Sequence, residues 1–185
     1  HSVISAFNAG QMPDIAAQLT ALGPDSYIAE IAEERNELDT IGSDITPDRE
    51  SYRRAADSVM RRQAALPSRR IGRLTRAFRR EYYAVVERML RTRAQVLPCY
   101  CGYATAHLAP NGDVWMCCVI AEPAGNLRES GGRFLPVWRS PKAEALRRPI
   151  RAGKCFCPLA NAAYVNLLFS PRSMARIGIH LLKDA

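Results

Sequence analysis

A chain of 185 residues with 48% apolar side chains and a net charge of +8 is long enough for one ordinary domain or two small ones, with a core that needs no metal merely to hold it together. No apolar run approaches the roughly 20 residues of a membrane helix, and no stretch reads as a signal peptide. No membrane partner is therefore expected, and the expected location is cytoplasmic. In that setting the six cysteines point to metal or redox work rather than to disulfides.

The chain opens on "HSVISAFN", strand-like from His1 and without a leader, and is expected to be the C-terminal piece of a longer protein. "SVISAF" reads as a short buried strand. "MPDIAAQLTALG" reads as a helix, with Met12, Ile15, Leu19 and Leu22 at helical spacing and Gly23 as its stop. "SYIAEIA" returns as a second strand, and the resulting βαβ unit predicts a parallel sheet with a right-handed crossover. After the acidic loop "EERNELDTIGSD", Thr46-Pro47 predicts a helix start, with Thr as cap and Pro at the first helical position. That helix carries Tyr52, Ala55, Ala56, Val59 and Met60 on one face, and "LPSRRIG" breaks it. A longer helix from about Leu74 to Arg93 has Leu74, Phe78, Tyr82, Val85 and Met89 as its stripe, and Pro98 closes the segment.

Charge follows these elements unevenly. Residues 1–48 hold nine acids against Arg35 alone, whereas residues 49–95 hold fourteen arginines against four acids. The arginines flank helices with an apolar face and lack interleaved aromatics, which favours a solvated surface over a nucleic-acid-binding one.

Beyond Val96 the texture changes, and the predicted units are residues 1–95 and 96–185. Asn111-Gly112 lies between two runs of strand formers and suits the positive φ of a tight hairpin turn. "GNLRESGG" reads as a turn-rich loop, "FLPVW" and "PKAEALRR" as short helical turns, and "CPLANAAYVNLLF" as a helix starting at Cys157-Pro158. Trp115 and Trp138 are expected in the core.

The hairpin brings two cysteine pairs toward each other, Cys99 with Cys101 and Cys117 with Cys118, and Cys155 and Cys157 follow much later. Thiolates are soft ligands that suit zinc, iron-sulfur clusters or copper(I), and a closed site takes four. Cys99, Cys117, Cys155 and Cys157 supply four from three places in the chain. A zinc ribbon would show two C-x-x-C knuckles, of which the sequence has none, so a cubane cluster is favoured while zinc stays open.

In order and spacing, "PCYCG", "APNGDVWMCC", "AGNLRE", "VWRSPKAEALRR" and "CFCPLAN" resemble the auxiliary-cluster domain at the C-terminus of radical S-adenosylmethionine (radical SAM) enzymes, the SPASM/twitch domain. The family pattern of Cys, 9 to 15 residues, Gly, four residues and Cys is met by Cys99, Gly112 and Cys117. The resemblance implies an α/β fold: the C-terminal strands and helices of a partial TIM-like barrel over residues 1–95, then a small α+β domain with a hairpin and helices over 96–185. With only Cys101 and Cys118 to spare, the single-cluster twitch form fits better than the full SPASM form. The implied cofactor is one auxiliary [4Fe-4S] cluster, used for electron transfer or for bracing the substrate site. Along an extended strand, adjacent Cys117 and Cys118 cannot both reach one cluster. The resemblance selects Cys117, and also Cys99, since relatives usually carry a small residue at the position of Cys101.

In parallel α/β barrels the working residues cluster at the carboxyl ends of strands, which marks Asn8 after the first strand and Glu33, Glu34 and Arg35 after the second. "AEER" reads equally well as a surface ion-pair loop. No C-x-x-x-C-x-x-C occurs in the sequence, so the ligands of the cluster that cleaves S-adenosylmethionine are not in this chain, which is expected to be inactive alone. The resemblance implies a parent oxidoreductase with S-adenosylmethionine, a second [4Fe-4S] cluster, a reductant such as flavodoxin or ferredoxin, and a peptide or small-molecule substrate. The rival readings are a non-catalytic four-cysteine zinc-binding interaction module and, more weakly, a basic nucleic-acid binder.

Overall fold

The computed structural model describes residues 1–66, 70–155 and 157–183. The expected βαβ unit is present: β1 (Ser2–Ile4) and β2 (Ala29–Ile31) pair in parallel, Ser2 opposite Ala29 and Ile4 opposite Ile31. The crossover carries α1 (Met12–Ala21), with a proline in its first turn. Gly23 ends it at φ +65, its N–H donating to the Thr20 carbonyl at 3.1 Å. The buried face of α1 is Met12 and Ala16, and Leu22 is 79% exposed. Leu22 misses the predicted stripe because it lies at the C-cap, beyond the last turn that faces the core. Among the described residues the parallel sheet has two strands and no barrel is closed.

Helix α2 (Arg49–Ala65) buries Tyr52, Ala55, Ala56 and Val59, as its pattern predicts. Its start is shifted from Thr46-Pro47. Asp48 is the cap, because its Oδ1 accepts from the N–H groups of both Glu50 and Ser51 at 2.9 Å. The predicted break falls after Leu66, whose backbone is extended; the rest of it, residues 67–69, lies outside the described residues. Helix α3 (Arg70–Thr92) begins a turn earlier than predicted. Leu74 is 43% exposed, and the buried face runs through Tyr82, Tyr83, Val85, Val86 and Met89. That face is wider than a single stripe because α3 is covered on two sides, by α2 and by the C-terminal helices α6 (Ala160–Leu168) and α7 (Pro171–Lys183). The Tyr83 hydroxyl accepts from the Ala29 N–H at 3.3 Å, tying α3 to β2.

Some arginines of the basic middle are tied to other parts of the fold, Arg79 and Arg76 at buried or part-buried positions and Arg49 at the surface. Arg79 Nη1 donates to the Tyr27 carbonyl at 2.8 Å, Arg76 Nη1 to the Gln63 carbonyl at 2.9 Å, and Arg49 Nη2 lies 2.7 Å from Glu87 Oε1.

The second half holds a three-stranded antiparallel sheet: β3 (His107–Leu108), β4 (Asp113–Trp115) and β5 (Pro123–Asn126). The hairpin forms, but not as a two-residue turn. Gly112 alone takes positive φ, at +95, and Asn111 instead accepts the Asp113 N–H on its Oδ1 at 3.1 Å. Strand β5 covers the start of a segment predicted as loop. Helices α4 (Phe134–Trp138) and α5 (Pro141–Arg151) fall where predicted, α5 capped by Ser140. Helix α6 starts at Ala160, not at Cys157, since the Pro158 carbonyl is turned instead to the Tyr82 hydroxyl, which donates to it at 3.2 Å.

Two apolar clusters result. The first joins β1, β2, α1, α2 and α3 to Ala160, Ala163 and Leu167 of α6. The second gathers Cys101, Cys117, Val114, Met116, Ala124, Val137, Ala143 and Ile150. No helix among the described residues is long and apolar enough to cross a membrane.

Leu167 is fully buried in the first cluster. Leu167→Ala is expected to lower the unfolding free energy by about 2–5 kcal/mol, read from the urea midpoint. A loss below about 1 kcal/mol would mean that α6 is dispensable to that core.

Candidate metal centre

The cysteine centre is built on two turns and one return of the chain. The first turn follows Cys99. Gly102 takes φ +77 and its N–H donates to the Thr105 carbonyl at 2.8 Å. A Cβ there would come within 3.1 Å of both Arg147 Cγ and Met116 Cβ, so a side chain would crowd these neighbours as well as strain the backbone. Arg147, buried on α5, clamps the turn. Its Nε donates to the Gly102 carbonyl, its Nη2 donates to the Trp138 carbonyl at 2.6 Å, and its guanidinium lies 4.3 Å from the Trp138 ring centroid.

The second turn follows β4. The strand ends at Trp115, and the Ala121 N–H donates to the Cys117 carbonyl at 2.9 Å, so Cys117 opens a turn. The strict alternation of an extended strand therefore does not govern Cys117 and Cys118. The turn separates them instead: the Cys117 thiol is hydrogen-bonded with Cys101, whereas the Cys118 thiol feels the charges of Arg35 and Glu37.

The return of the chain supplies Cys155 and Cys157, followed by α6. Asn166 on α6 reaches back to the first cysteine segment, its Oδ1 accepting the Tyr100 N–H at 2.9 Å. All six cysteines are free thiols. Phe156, between Cys155 and Cys157, lies outside the described residues.

Electrostatics orders the thiols. Hydrogen bonding with Cys101, opposed by burial, brings Cys99 down to about 6, and the same donor brings Cys117 down to about 7. Cys101, bonded to both, is pushed far up and keeps its proton. Burial raises Cys155, and the charges of Cys99 and Cys117 raise it further. Burial also raises Cys157, with Cys117, Cys99 and Cys155 adding to it. Cys118 is pushed up to about 11 by burial and by Cys117. Two soft ligands thus lie close to their ionised form near neutral pH, with further thiols within electrostatic reach. That donor set, sulfur only, fits an iron-sulfur cluster. Among the described residues no group of three or more Cys, His, Asp or Glu side chains is placed so that it could hold a metal ion.

The residues after the strands have separate fates. Asn8 closes its own turn, its Oδ1 accepting from Ser5 N–H at 2.8 Å and its Nδ2 donating to the Val3 carbonyl at 2.9 Å. Glu34 accepts the Gly42 and Asp44 N–H groups at 2.8 and 3.2 Å. Arg35 pairs with Glu33 at 2.5 Å and with Glu37 at 3.6 Å. "AEER" is an ion-pair segment, in line with one of its two readings, but not a surface one throughout: the Glu33 side chain is only 4% exposed. Burial pushes the Glu33 carboxyl up to about 7, against the lowering effect of Arg35.

Glu33 and Glu34 line a cavity of about 630 Å³ between the end of β2 and the cysteine segment, and Cys157 and Val119 line its other side. The adjoining loop is fastened to the hairpin. The Asn36 N–H donates to the Val119 carbonyl at 3.0 Å, and its Nδ2 to the Ile120 carbonyl at 3.0 Å. His107, stacked on Trp115 at 5.0 Å, lies 3.6 Å from Glu37.

The hydrogen-bonding roles of Asn36, Tyr82, Arg147 and Asn166 are not legible in the sequence. Each acts on a backbone group far along the chain, and no local pattern marks such a bond. For Asn166→Ala the Tyr100 N–H loses its acceptor at a part-buried site, which is expected to cost about 1–3 kcal/mol by urea denaturation. Asn166→Asp, which keeps an acceptor oxygen, should recover most of it; equal losses in both variants would disprove the bond's role.

Residues 99–158, about a third of the chain, match the family model described as SPASM, an iron-sulfur cluster-binding domain. No curated protein and no solved structure matches the chain. Over residues 99–158, from the first thiol of the centre to the proline after its last, the chain carries a SPASM domain, a cysteine-ligated iron-sulfur cluster-binding unit typical of radical SAM enzymes.

Proposed function

We propose that this chain is the C-terminal portion of a radical SAM oxidoreductase acting on a peptide or small metabolite. In this reading residues 1–95 are the last strands and helices of its partial barrel, and residues 96–185 hold one auxiliary [4Fe-4S] cluster on Cys99, Cys117, Cys155 and Cys157. The observation that carries the proposal is the convergence, inside the SPASM-matched residues, of thiols from three separate segments of chain. The parallel β1–α1–β2 unit supports the barrel reading, as does the cavity shared by Glu33 and Cys157 at the carboxyl end of β2.

When bound, such a cluster supplies one-electron transfer and, with four protein thiolates, offers no open iron. The protein's own part is to hold the thiols. Arg147 and Asn166 fix the Cys99–Gly102 turn, and the Cys101 proton stabilises Cys99 and Cys117 as thiolates. Tyr82 anchors the chain beside Cys157 through the Pro158 carbonyl. S-adenosylmethionine, a second [4Fe-4S] cluster and a flavodoxin- or ferredoxin-like reductant belong to the parent enzyme in this reading.

Anaerobic reconstitution with iron and sulfide should give a brown protein with sulfur-to-iron absorbance and about four irons per chain. A colourless protein holding one tight zinc would instead establish the four-cysteine zinc module. Serine replacement of Cys99, Cys117, Cys155 or Cys157 should abolish cluster iron, and replacement of Cys101 or Cys118 should spare it. The position of the Cys101 thiol between Cys99 and Cys117 favours one specific alternative: iron lost in Cys101→Ser but kept in Cys155→Ser would put Cys101 in the ligand set.

The second expectation concerns the chain by itself. Without a C-x-x-x-C-x-x-C motif, the purified 185-residue chain should form no 5′-deoxyadenosine from S-adenosylmethionine under strong reductant. Production of that nucleoside by the chain would overturn the division of labour proposed here.

A further inference from the structure

Of the six thiols Cys155 alone is exposed; Cys99, Cys118 and Cys157 are half-buried, and Cys101 and Cys117 are buried. A cluster on the four proposed ligands therefore comes nearest to solvent at Cys155.

Two helix ends meet beside it. Gly153, at φ +63, follows α5, and a Cβ there would lie 4.0 Å from Gln95 Cβ, just past the end of α3. The junction carries Arg91 and Arg93 from one segment and Arg148, Arg151 and Lys154 from the other, all exposed. No Asp or Glu occurs within residues 88–112 or 145–183, so neither segment supplies a carboxylate to neutralise them. The two helix C-termini contribute only about half a negative charge each, far less than five cations carry. Arg93 and Lys154 also lie beyond the helices, so the helix dipoles do not account for them. Arg93 borders the same cavity as Cys157. Three of the four acids in that lining are tied to donors of this chain: Glu33 to Arg35, Glu34 to two backbone N–H groups and Asp48 to the start of α2.

We propose that this basic face, centred on Cys155, docks an acidic one-electron carrier protein. The inference rests on the cluster reading above for its electron step: one electron leaves the reduced carrier and enters the oxidised cluster, and no bond is made or broken. The exposed ligand brings the cluster to the surface, and the surrounding cations draw in and orient a carrier of opposite charge. Encounters of this class are brief and small in area, so they need charge complementarity more than an apolar groove. A nucleic acid would also meet the cations, but a thiol ligand at the middle of the face serves electron exchange and offers nothing to a phosphate backbone.

The test is binding of a fluorescently labelled acidic [2Fe–2S] ferredoxin to the reconstituted 185-residue chain, read by anisotropy under anaerobic conditions. Iron content and sulfur-to-iron absorbance are read first on every sample, so that failure of the cluster reading is told apart from failure of the docking face. Wild-type affinity should fall at least tenfold from about 50 mM to about 300 mM salt, as screening shortens the reach of the cations. Arg151→Glu with Lys154→Glu should weaken binding at least tenfold at the lower salt. Arg61→Glu with Arg62→Glu, which reverses two exposed charges on α2, should change it less than twofold. Should Lys154→Glu impair loading of the cluster, Arg148→Glu with Arg151→Glu, farther from the ligand, should still weaken binding severalfold. Undiminished binding in a loaded variant of this face, equal losses in the α2 variant, or no ferredoxin binding by the loaded wild type would overturn the proposal. Duplex DNA bound more tightly than ferredoxin, and released by the same substitutions, would overturn it in favour of a nucleic-acid face.

Discussion

Thiols nearly sixty residues apart, Cys99 and Cys157, can meet because helix α3 is buried on both flanks. One flank rests on α2 and the parallel strands, and the other is covered by α6 and α7, which follow the cysteine segment. The chain must therefore leave the first core at the end of α3, build the hairpin and the short helices, and come back to the same core. Cys99 stands just past the exit and Cys157 just before the return. Two hydrogen bonds hold those points: the Tyr82 hydroxyl to the Pro158 carbonyl and the Tyr100 N–H to Asn166. Without the two-sided burial of α3 there is no reason for the first and last cysteines to be neighbours.

The second constraint is polar. The loop after β2 is bonded through Asn36 to the turn that follows Cys117, so the carboxyl end of the parallel pair faces the thiols across the Glu33 cavity. Acids of the first quarter of the chain and Cys157 thereby border the same cavity. The thiols share protons through Cys101, which favours thiolate at Cys99 and Cys117, while Arg35 holds Oε1 of the buried Glu33 side chain.

Part of the arginine-rich middle takes part in the same packing, while Arg53, Arg54, Arg61, Arg62, Arg91 and Arg93 stay exposed. Arg76 and Arg79 close carbonyls at the ends of α2 and ahead of β2, and Arg49 joins the start of α2 to α3. Their charge is used within the fold, where long side chains reach backbone oxygens that secondary structure leaves open.

The sequence by itself determined the elements whose cause is local. The βαβ order followed from apolar runs separated by an amphipathic stretch, the buried face of α2 from its 3.6-residue period, and the hairpin from Asn111-Gly112. The SPASM identity lay in the spacing of Cys99, Gly112 and Cys117, a pattern along the chain that needs no fold to be read. The tertiary structure decided what depends on partners distant in sequence. It moved the cap from Thr46 to Asp48, which offered an oxygen to two N–H groups. It widened the buried face of α3 because helices from the far end cover it, and delayed α6 to Ala160 because Pro158 is bonded to Tyr82. It also set Cys101 between two other thiols and hid the Glu33 side chain inside a segment that reads as a charged loop. Local propensity is written in neighbouring residues, whereas burial and proton sharing arise only when segments meet, and no spacing along the chain encodes which carboxylate ends up buried.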